Sequence, residues 1–398
     1  MTRVEHLTHQ GMGRTAEGKF VPRVLPGEEI ELVEDGSARI LTPSTDRVSP
    51  PCRHYKSCGG CAMQHASDEF VAKWKIETVA RALSAQGIEA EISGIETSPA
   101  SSRRRAKLSG RRTKKGTLVG FHGRASDVLV EVPECRLLSP ALLATLPALH
   151  DLAALAASRK GEVGLTVTES LSGPDIQIET DKELTGELRT ELAALAQKHR
   201  IARLVWQDEQ VVMIEPPQQR FGKAQVVPPA GAFLQATAGG EAALLRAVKH
   251  AVGGASKVAD LFSGCGTFAL PLAETAEVHA VEGEKAMVAA LDRGWRETQG
   301  LKRVTSEARD LFRRPLLRDE LAKFDAIVID PPRAGAEAQI AEIAASAVPL
   351  VAMVSCNPIT FARDAKALIV AGFRIESLVV VDQFRWSSHI EAAAKLVR

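Results

Sequence analysis

The chain has 398 residues, 45% of them hydrophobic, enough to bury the cores of two or three domains and too much for a small module. Against 50 Lys and Arg stand 49 Asp and Glu, so a net charge of +1 gives no whole-chain sign of a polyanionic partner. No apolar run approaches the roughly 20 residues a membrane-spanning helix needs, and Met1–Gln10 lacks a signal-peptide stretch, so the expectation is a cytoplasmic protein with no membrane partner.

Gly11, Gly13, Gly18 and Gly27 punctuate short apolar stretches around Phe20, Val21, Val24, Ile30 and Leu32, which predicts a small curled sheet with glycine turns. Pro43, Pro50 and Pro51 mark a linker, and beyond it stand Cys52, Cys58 and Cys61, with Cys135 much later. Six cysteines in all are too sparse for a disulfide scaffold in a chain of this length. The spacing instead offers four thiolates for a tetrahedral zinc or an iron–sulfur site and predicts a structural metal centre, without choosing the metal.

Apolar residues at 71, 74, 76, 79, 80 and 83 predict a helix over 70–83. A run of basic residues without one acid comes next: Arg103, Arg104, Arg105, Lys107, Arg111, Arg112, Lys114 and Lys115. Local density of this kind predicts contact with a phosphate backbone, and a solvated charged face is the plain alternative. Strand candidates at 117–121, 128–132, 163–168, 201–205 and 211–214, with an Ala- and Leu-rich helix near 141–157, predict a mixed central domain.

After Pro228 and Pro229 helices alternate with apolar β-branched runs at 257–261, 277–281, 325–329, 350–354 and 377–381, the rhythm of a largely parallel sheet covered by helices. The expected division is 1–48, 49–225 and 226–398.

The run from Asp260 to Thr267 succeeds the first of these strands, so Gly264 and Gly266 fall in a strand-to-helix turn where small residues let a ligand approach the backbone. Glu282 ends the next strand, placed to accept from a ribose diol, and Asp310 comes after the third strand, within reach of an adenine amino group. Asp330-Pro331-Pro332-Arg333 sits outside another strand end. Carboxylates without a phosphate clamp suit a sulfonium cofactor better than a pyrophosphate-bearing hydride carrier, although Glu282 and the turn alone leave a dehydrogenase open.

Cys356, in Ser355-Cys356-Asn357-Pro358, lies immediately beyond another strand on the same rim. Its neighbours end a buried strand, and helix N-terminal amides or a nearby cation would favour a thiolate nucleophile of lowered pKa. Glu391, in His389-Ile390-Glu391, is the candidate general base. Trp386 and Phe384 just before it are candidates to stack on a flipped base.

These motifs together resemble the uracil-5 RNA methyltransferase family, with its cysteine in a Ser-Cys-Asn-Pro context and its glutamate in a His-x-Glu context. The resemblance also covers Phe233-Leu234-Gln235, Asp260 to Gly266, Glu282, Asp310 and Asp330 to Arg333. It implies an α/β, Rossmann-like methyltransferase domain that binds S-adenosyl-L-methionine through Gln235, Phe262, Gly264, Thr267, Glu282, Asp310 and Asp330, with Thr267 where relatives often have asparagine. Gly11-Met12-Gly13, Lys19-Phe20-Val21 and Leu25-Pro26-Gly27-Glu28 resemble a TRAM-type RNA-binding barrel, although about 45 residues are short for five strands, so one strand is expected to be missing. The cysteine set Cys52, Cys58, Cys61 and Cys135 resembles that of the family's ribosomal RNA branch, implying a central domain with a structural [4Fe–4S] cluster and a monomer acting on 23S rRNA.

A noncatalytic RNA-binding protein would explain the basic run but gives Cys356, Glu391 and the carboxylate-lined crevice no shared purpose. Transfer RNA methylation is the alternative substrate reading. The expected chemistry is attack of Cys356 on C6 of a uridine, methyl transfer to C5, and removal of the C5 proton by Glu391, with Arg333 or Arg363 assisting the developing charge on O4.

Overall fold

The computed structural model describes residues 1–34, 36–114, 116–159 and 161–398, so Lys115 of the basic run lies outside the described residues. Among those described, no helix is long and apolar enough to cross a membrane.

Eight strands form the largest sheet, in the order Val304–Ala308, Glu277–Glu282, Lys257–Leu261, Ala326–Ile329, Leu350–Ser355, Glu391–Val397, Arg374–Asp382, Ile95–Thr97. The first five are mutually parallel, and Glu391–Val397 runs antiparallel to both of its neighbours. Parallel strands covered on both faces must be apolar throughout, and all four residues of Ala326–Ile329 are buried. Leu261, Ile327 and Met353 pack on one face with Val79, Ile340 and Phe361 from covering helices. Val258, Val328 and Ala352 pack on the other with Leu244, Val248 and Leu291. This is the Rossmann-like architecture expected, and its ligand crevice lies beyond the carboxyl ends of the parallel strands.

At the amino end a five-stranded sheet runs in the order Phe20–Val21, Gly13–Thr15, Thr2–Leu7, Glu29–Leu32, Ala38–Thr42. The missing strand expected from the segment's brevity is therefore present, because the strands shrink to as few as two residues.

A seven-stranded sheet occupies the middle of the chain, ordered Glu209–Met213, Arg203–Trp206, Gly173–Glu179, Glu162–Ser170, Arg105–Thr113, Gly116–His122, Leu129–Glu131. The basic run forms one of its inner strands: Ala106, Leu108 and Gly110 turn inward while the charged residues alternate outward. Much of that charge meets protein. Arg104 pairs with Glu241, Arg105 donates to the Gly231 carbonyl, Lys107 pairs with Glu179 and Arg111 with Glu162, leaving Arg112 and Lys114 exposed.

The expected iron–sulfur or zinc centre of this central region is overturned. Cys52, Cys58, Cys61 and Cys135 line one cavity of about 330 Å³, but no group of three or more His, Cys, Asp or Glu among the described residues is placed to hold a metal ion. Burial raises the thiols of Cys58 and Cys135 and pushes Cys61 up to about 12. Sequence spacing brought the four cysteines to one wall without setting their sulfurs around a common point. The support that cluster lent to a ribosomal substrate goes with it.

Helix Asp68–Ser84 and strand Ile95–Thr97 join the C-terminal sheet rather than the central one. Ser67 caps that helix by accepting from the Phe70 amide. The helix carries a fully buried Lys75, whose ammonium reaches Asp382 Oδ1 at 2.6 Å and the carbonyls of His389 at 3.0 Å and Phe384 at 3.3 Å. Removing that ammonium strands a buried carboxylate, so Lys75→Met is expected to lower the unfolding free energy by about 3–5 kcal/mol. Denaturant titration measures this, and a loss below about 1 kcal/mol would show the pair to be dispensable.

Candidate active site

A parallel sheet brings the residues after each strand to one rim. Phe262 comes after Lys257–Leu261, Glu282 ends Glu277–Glu282, Asp310 lies just past Val304–Ala308, Asp330 succeeds Ala326–Ile329 and Cys356 succeeds Leu350–Ser355. Glu391 reaches the same rim because its strand is antiparallel and therefore starts where its neighbours end, with Ala392 opposite Ser355. A cavity of about 500 Å³ gathers Gln235, Phe262, Gly264, Thr267, Glu282, Asp310, Asp330, Cys356 and Glu391.

The turn after the first strand is built for close approach. Gly264 has φ +55° and Gly266 φ +95°, and a Cβ on Gly266 would meet Leu270 and Leu291 within 3.0 Å. Phe262 holds φ +62° without being glycine and leans its ring on Phe312 at 5.4 Å, an unfavourable backbone state of the sort kept at binding sites. Glu282 accepts from the Gly264 amide at 3.0 Å and the Glu284 amide at 2.9 Å, which fixes its carboxylate at the cavity wall. Asp310 accepts from the Phe312 amide at 3.0 Å.

Among the described residues, two buried polar atoms on this cavity have no hydrogen-bond partner: Ser263 Oγ and Glu391 Oε2. Buried polar groups are ordinarily satisfied, so these fit a site completed by a polar ligand. The carboxylates along the wall fit a cationic, nucleoside-bearing cofactor such as S-adenosylmethionine.

Burial pushes Glu391 up to about 8, with Asp330 and Asp382 adding to the effect, and raises Asp330 to about 7. Asp260 is raised well above the usual range by burial and by Asp330. The thiol of Cys356 goes the opposite way from expectation. Burial pushes it up to about 11, and Glu391 and Asp330 reinforce this against Arg333. The helix Pro358–Val370 starts just beyond it, capped by Asn357, but two acidic neighbours and desolvation outweigh that terminus.

Glu391 also shapes stability. Between the usual glutamate value and about 8 the folded protein holds a proton that the unfolded chain has released. The resulting stabilisation is complete below about pH 4.5 and lost as pH rises through about 8. Glu391→Gln escapes that loss, so the melting-temperature advantage of the variant over the wild type should widen from pH 5 to pH 9. A gap that stays constant across that range would rule out the raised carboxyl.

Other neighbours were not singled out from sequence. Gln383 accepts from the Ala236 amide at 2.6 Å and donates to Gln235 Oε1, Gln235 in turn donates to Asp330 Oδ2 at 3.4 Å, and the Gln383 side chain favours the ionised form of Glu391. Two amide side chains thus connect the two raised carboxyls. Arg333 lines the cavity and contacts His389 Nδ1 at 2.6 Å, whereas Arg363 is engaged with Asp364 away from it. Of the two candidate cations, Arg333 is the one that lines this cavity. Trp386 is buried, with its carbonyl taking the amides of Ala62 and Met63, and Phe384 faces the cysteine-lined cavity. Neither aromatic lines the cavity of Cys356, so the expected stacking partners are not there.

Residues 185–398 match the family model described as tRNA (Uracil-5-)-methyltransferase. An uncharacterized RNA methyltransferase of Brucella suis is 44% identical over 393 residues, spanning 98% of this chain and 95% of that protein. A 23S rRNA (uracil(1939)-C(5))-methyltransferase of Halomonas elongata is 34% identical over 98% of this chain and 87% of its own length. Among solved structures, the Pyrococcus abyssi tRNA (uracil-54, C5)-methyltransferase in complex with S-adenosyl-L-homocysteine shares the fold across 100% of this chain and 99% of that one, with a TM-score of 0.76 at 21% identity.

Proposed function

The chain belongs to the RNA uracil-5 methyltransferase family, and from that premise we propose that Cys356 and Glu391 carry out the two halves of methyl transfer to C5 of a uridine. The observation that supports this most is that a cysteine and a glutamate far apart in sequence border one cavity with the carboxylates of Glu282, Asp310 and Asp330.

When bound, S-adenosylmethionine supplies an electrophilic methyl on a positive sulfonium. Positive charge in this cavity would favour ionised Cys356, Asp330 and Glu391, each of which is held neutral-leaning by burial. Glu282 and Asp310 would hold the nucleoside end, with Gly264, Thr267 and Phe262 lining the same cavity. Once its thiol proton is lost, the Cys356 sulfur bonds to C6, the displaced π electrons of C5=C6 become an enolate, and C5 would take the methyl as the donor S–CH3 bond breaks and S-adenosylhomocysteine leaves. Arg333 faces the developing charge on O4. Glu391 then removes the C5 proton, the C6–S bond breaks, and C5=C6 re-forms. Asp330, bound to Gln235, orients the ring.

For substrate, the match of residues 185–398 to the transfer RNA family model favours a tRNA uridine. The Halomonas relative favours 23S rRNA as the second reading. The division at 1–48, 49–225 and 226–398 belongs to the same proposal, with residues 68–84 and 95–97 packed onto the last segment, which carries the chemistry. Mass spectrometry of 5-methyluridine in separated tRNA and 23S rRNA, with and without the gene, tests both, followed by restoration of the missing mark with purified protein. Loss from one pool selects the substrate, and unchanged levels in both reject the reading.

A further inference from the structure

Two cavities meet at Cys356 and Arg333. Beside the one already described lies another of about 710 Å³, bordered on the catalytic side by Cys356, Asn357 and His389 and on the far side by His9 and Gln10. Those two residues are not part of the catalytic sheet. They form the turn between Thr2–Leu7 and Gly13–Thr15 in the amino-terminal sheet.

That turn is fixed in place. The Gly11 amide donates to the Thr8 carbonyl at 2.9 Å, the Thr8 amide to the Met12 carbonyl at 2.8 Å, and the Met12 amide to Thr8 Oγ1 at 3.2 Å. Gly11 has φ +75°, and a Cβ there would stand 3.1 Å from Met63 Sδ, 3.8 Å from the Trp74 ring and 3.9 Å from Ser388 Cβ. The turn is therefore seated against the segment that leads into Glu391. His9 and Gln10 themselves are exposed, and among the described residues neither side chain has a hydrogen-bond or ion-pair partner.

The cavity's chemistry is that of a nucleotide site. An imidazole and a carboxamide offer stacking and edge-directed hydrogen bonds, and Arg81 supplies a cation. Arg81 is paired with Glu77 at 2.9 Å, but that pair is about half exposed on one helix face and is weak enough to exchange for a phosphate. Since the cofactor residues occupy the other side of Cys356, RNA reaches the sulfur from this side.

We propose that the His9–Gln10 turn contacts the ribonucleotide adjoining the target uridine, so that the amino-terminal sheet forms a wall of the substrate cavity rather than a separate tether. This rests on the proposed uridine methylation. The test uses full-length protein carrying His9→Ala, Gln10→Ala or both, with RNA lacking the mark, prepared from cells without the gene. The double variant should raise KM for RNA about tenfold or more while S-adenosylhomocysteine affinity, read by calorimetry, stays at the wild-type value. Arg39→Ala, on an outer strand of the same sheet, should leave KM unchanged. RNA carrying 4-thiouridine beside the target should crosslink to the peptide containing residues 8–12. Wild-type KM in the double variant, an equal rise for Arg39→Ala, or crosslinks confined to other peptides overturns the contact while leaving uridine methylation standing. No methyl transfer by the wild-type protein overturns both.

Discussion

Replacing Cys356 with alanine is expected to lower methyl transfer by on the order of 10⁴-fold or more, the scale of removing a covalent nucleophile, and to abolish every covalent protein–RNA species. The neutral uracil ring is a poor carbon nucleophile at C5, so without the C6–S bond there is no enolate to accept the methyl. The substitution removes one sulfur from a half-buried position at a strand end, so folding and S-adenosylhomocysteine binding should persist, and both are measured alongside the rate. The thiol's high value makes a second observable. Alkylation of Cys356 in the free protein should be slow at neutral pH and accelerate toward pH 11, whereas a nucleophile preset as thiolate would react fully at pH 7. Turnover by Cys356→Ala within about tenfold of wild type would defeat covalent catalysis.

The catalytic half of the fold was legible because its strands obey a strong rule. A parallel strand buried on both faces reads as an uninterrupted apolar run, as Ala326–Ile329 does, and the residues just past the carboxyl end of such a run fall on the ligand rim. By that rule Glu282, Asp330 and Cys356 fall on the rim, whereas Phe262 is implied by the family resemblance. It says nothing about the last strand. Glu391-Ala-Ala-Ala-Lys395 has the propensity of a surface helix, yet pairing on both sides makes it a strand and buries Glu391 to 3% exposure. The contact of Lys75 with Asp382 spans 307 residues and has no local signature. Nor has that of Gln383 with Gln235, across 148.

Charge and cysteine patterns are harder to read for a related reason, since each is a one-dimensional density. The basic run predicted a phosphate-facing surface; period-two alternation makes most of it a strand whose outward Lys107 and Arg111 meet Glu179 and Glu162, while Arg104 just before it pairs with Glu241. The cysteine spacing brought four thiols to one cavity wall and no further. Conversely, His9 and Gln10 lie in a glycine-rich stretch that predicted only a turn, and they reach the cavity of Cys356 through the packing of Gly11.

Glu391→Gln is expected to separate the two halves of the reaction. Because burial holds the free carboxyl at about 8, it is largely protonated at neutral pH, and glutamine reproduces its size and neutrality without disturbing the cavity. Cys356 can then still add to C6 and C5 can still take the methyl, but no carboxylate is present to remove the C5 proton. The C6–S bond consequently persists, and a methylated RNA–protein adduct that survives denaturation should accumulate. Turnover should fall by about 10²–10⁴-fold, the usual contribution of a positioned base. In the wild type the rate of the proton-removal step should rise with pH through about 8, because methyl transfer has by then turned the cationic sulfonium into a neutral thioether that no longer favours the carboxylate. Adding Cys356→Ala to the variant should eliminate the adduct, tying it to that sulfur. Adduct-free turnover near the wild-type rate would instead reassign proton removal to Asp330, the other raised carboxyl on the cavity wall, which Gln235 and Gln383 connect to Glu391.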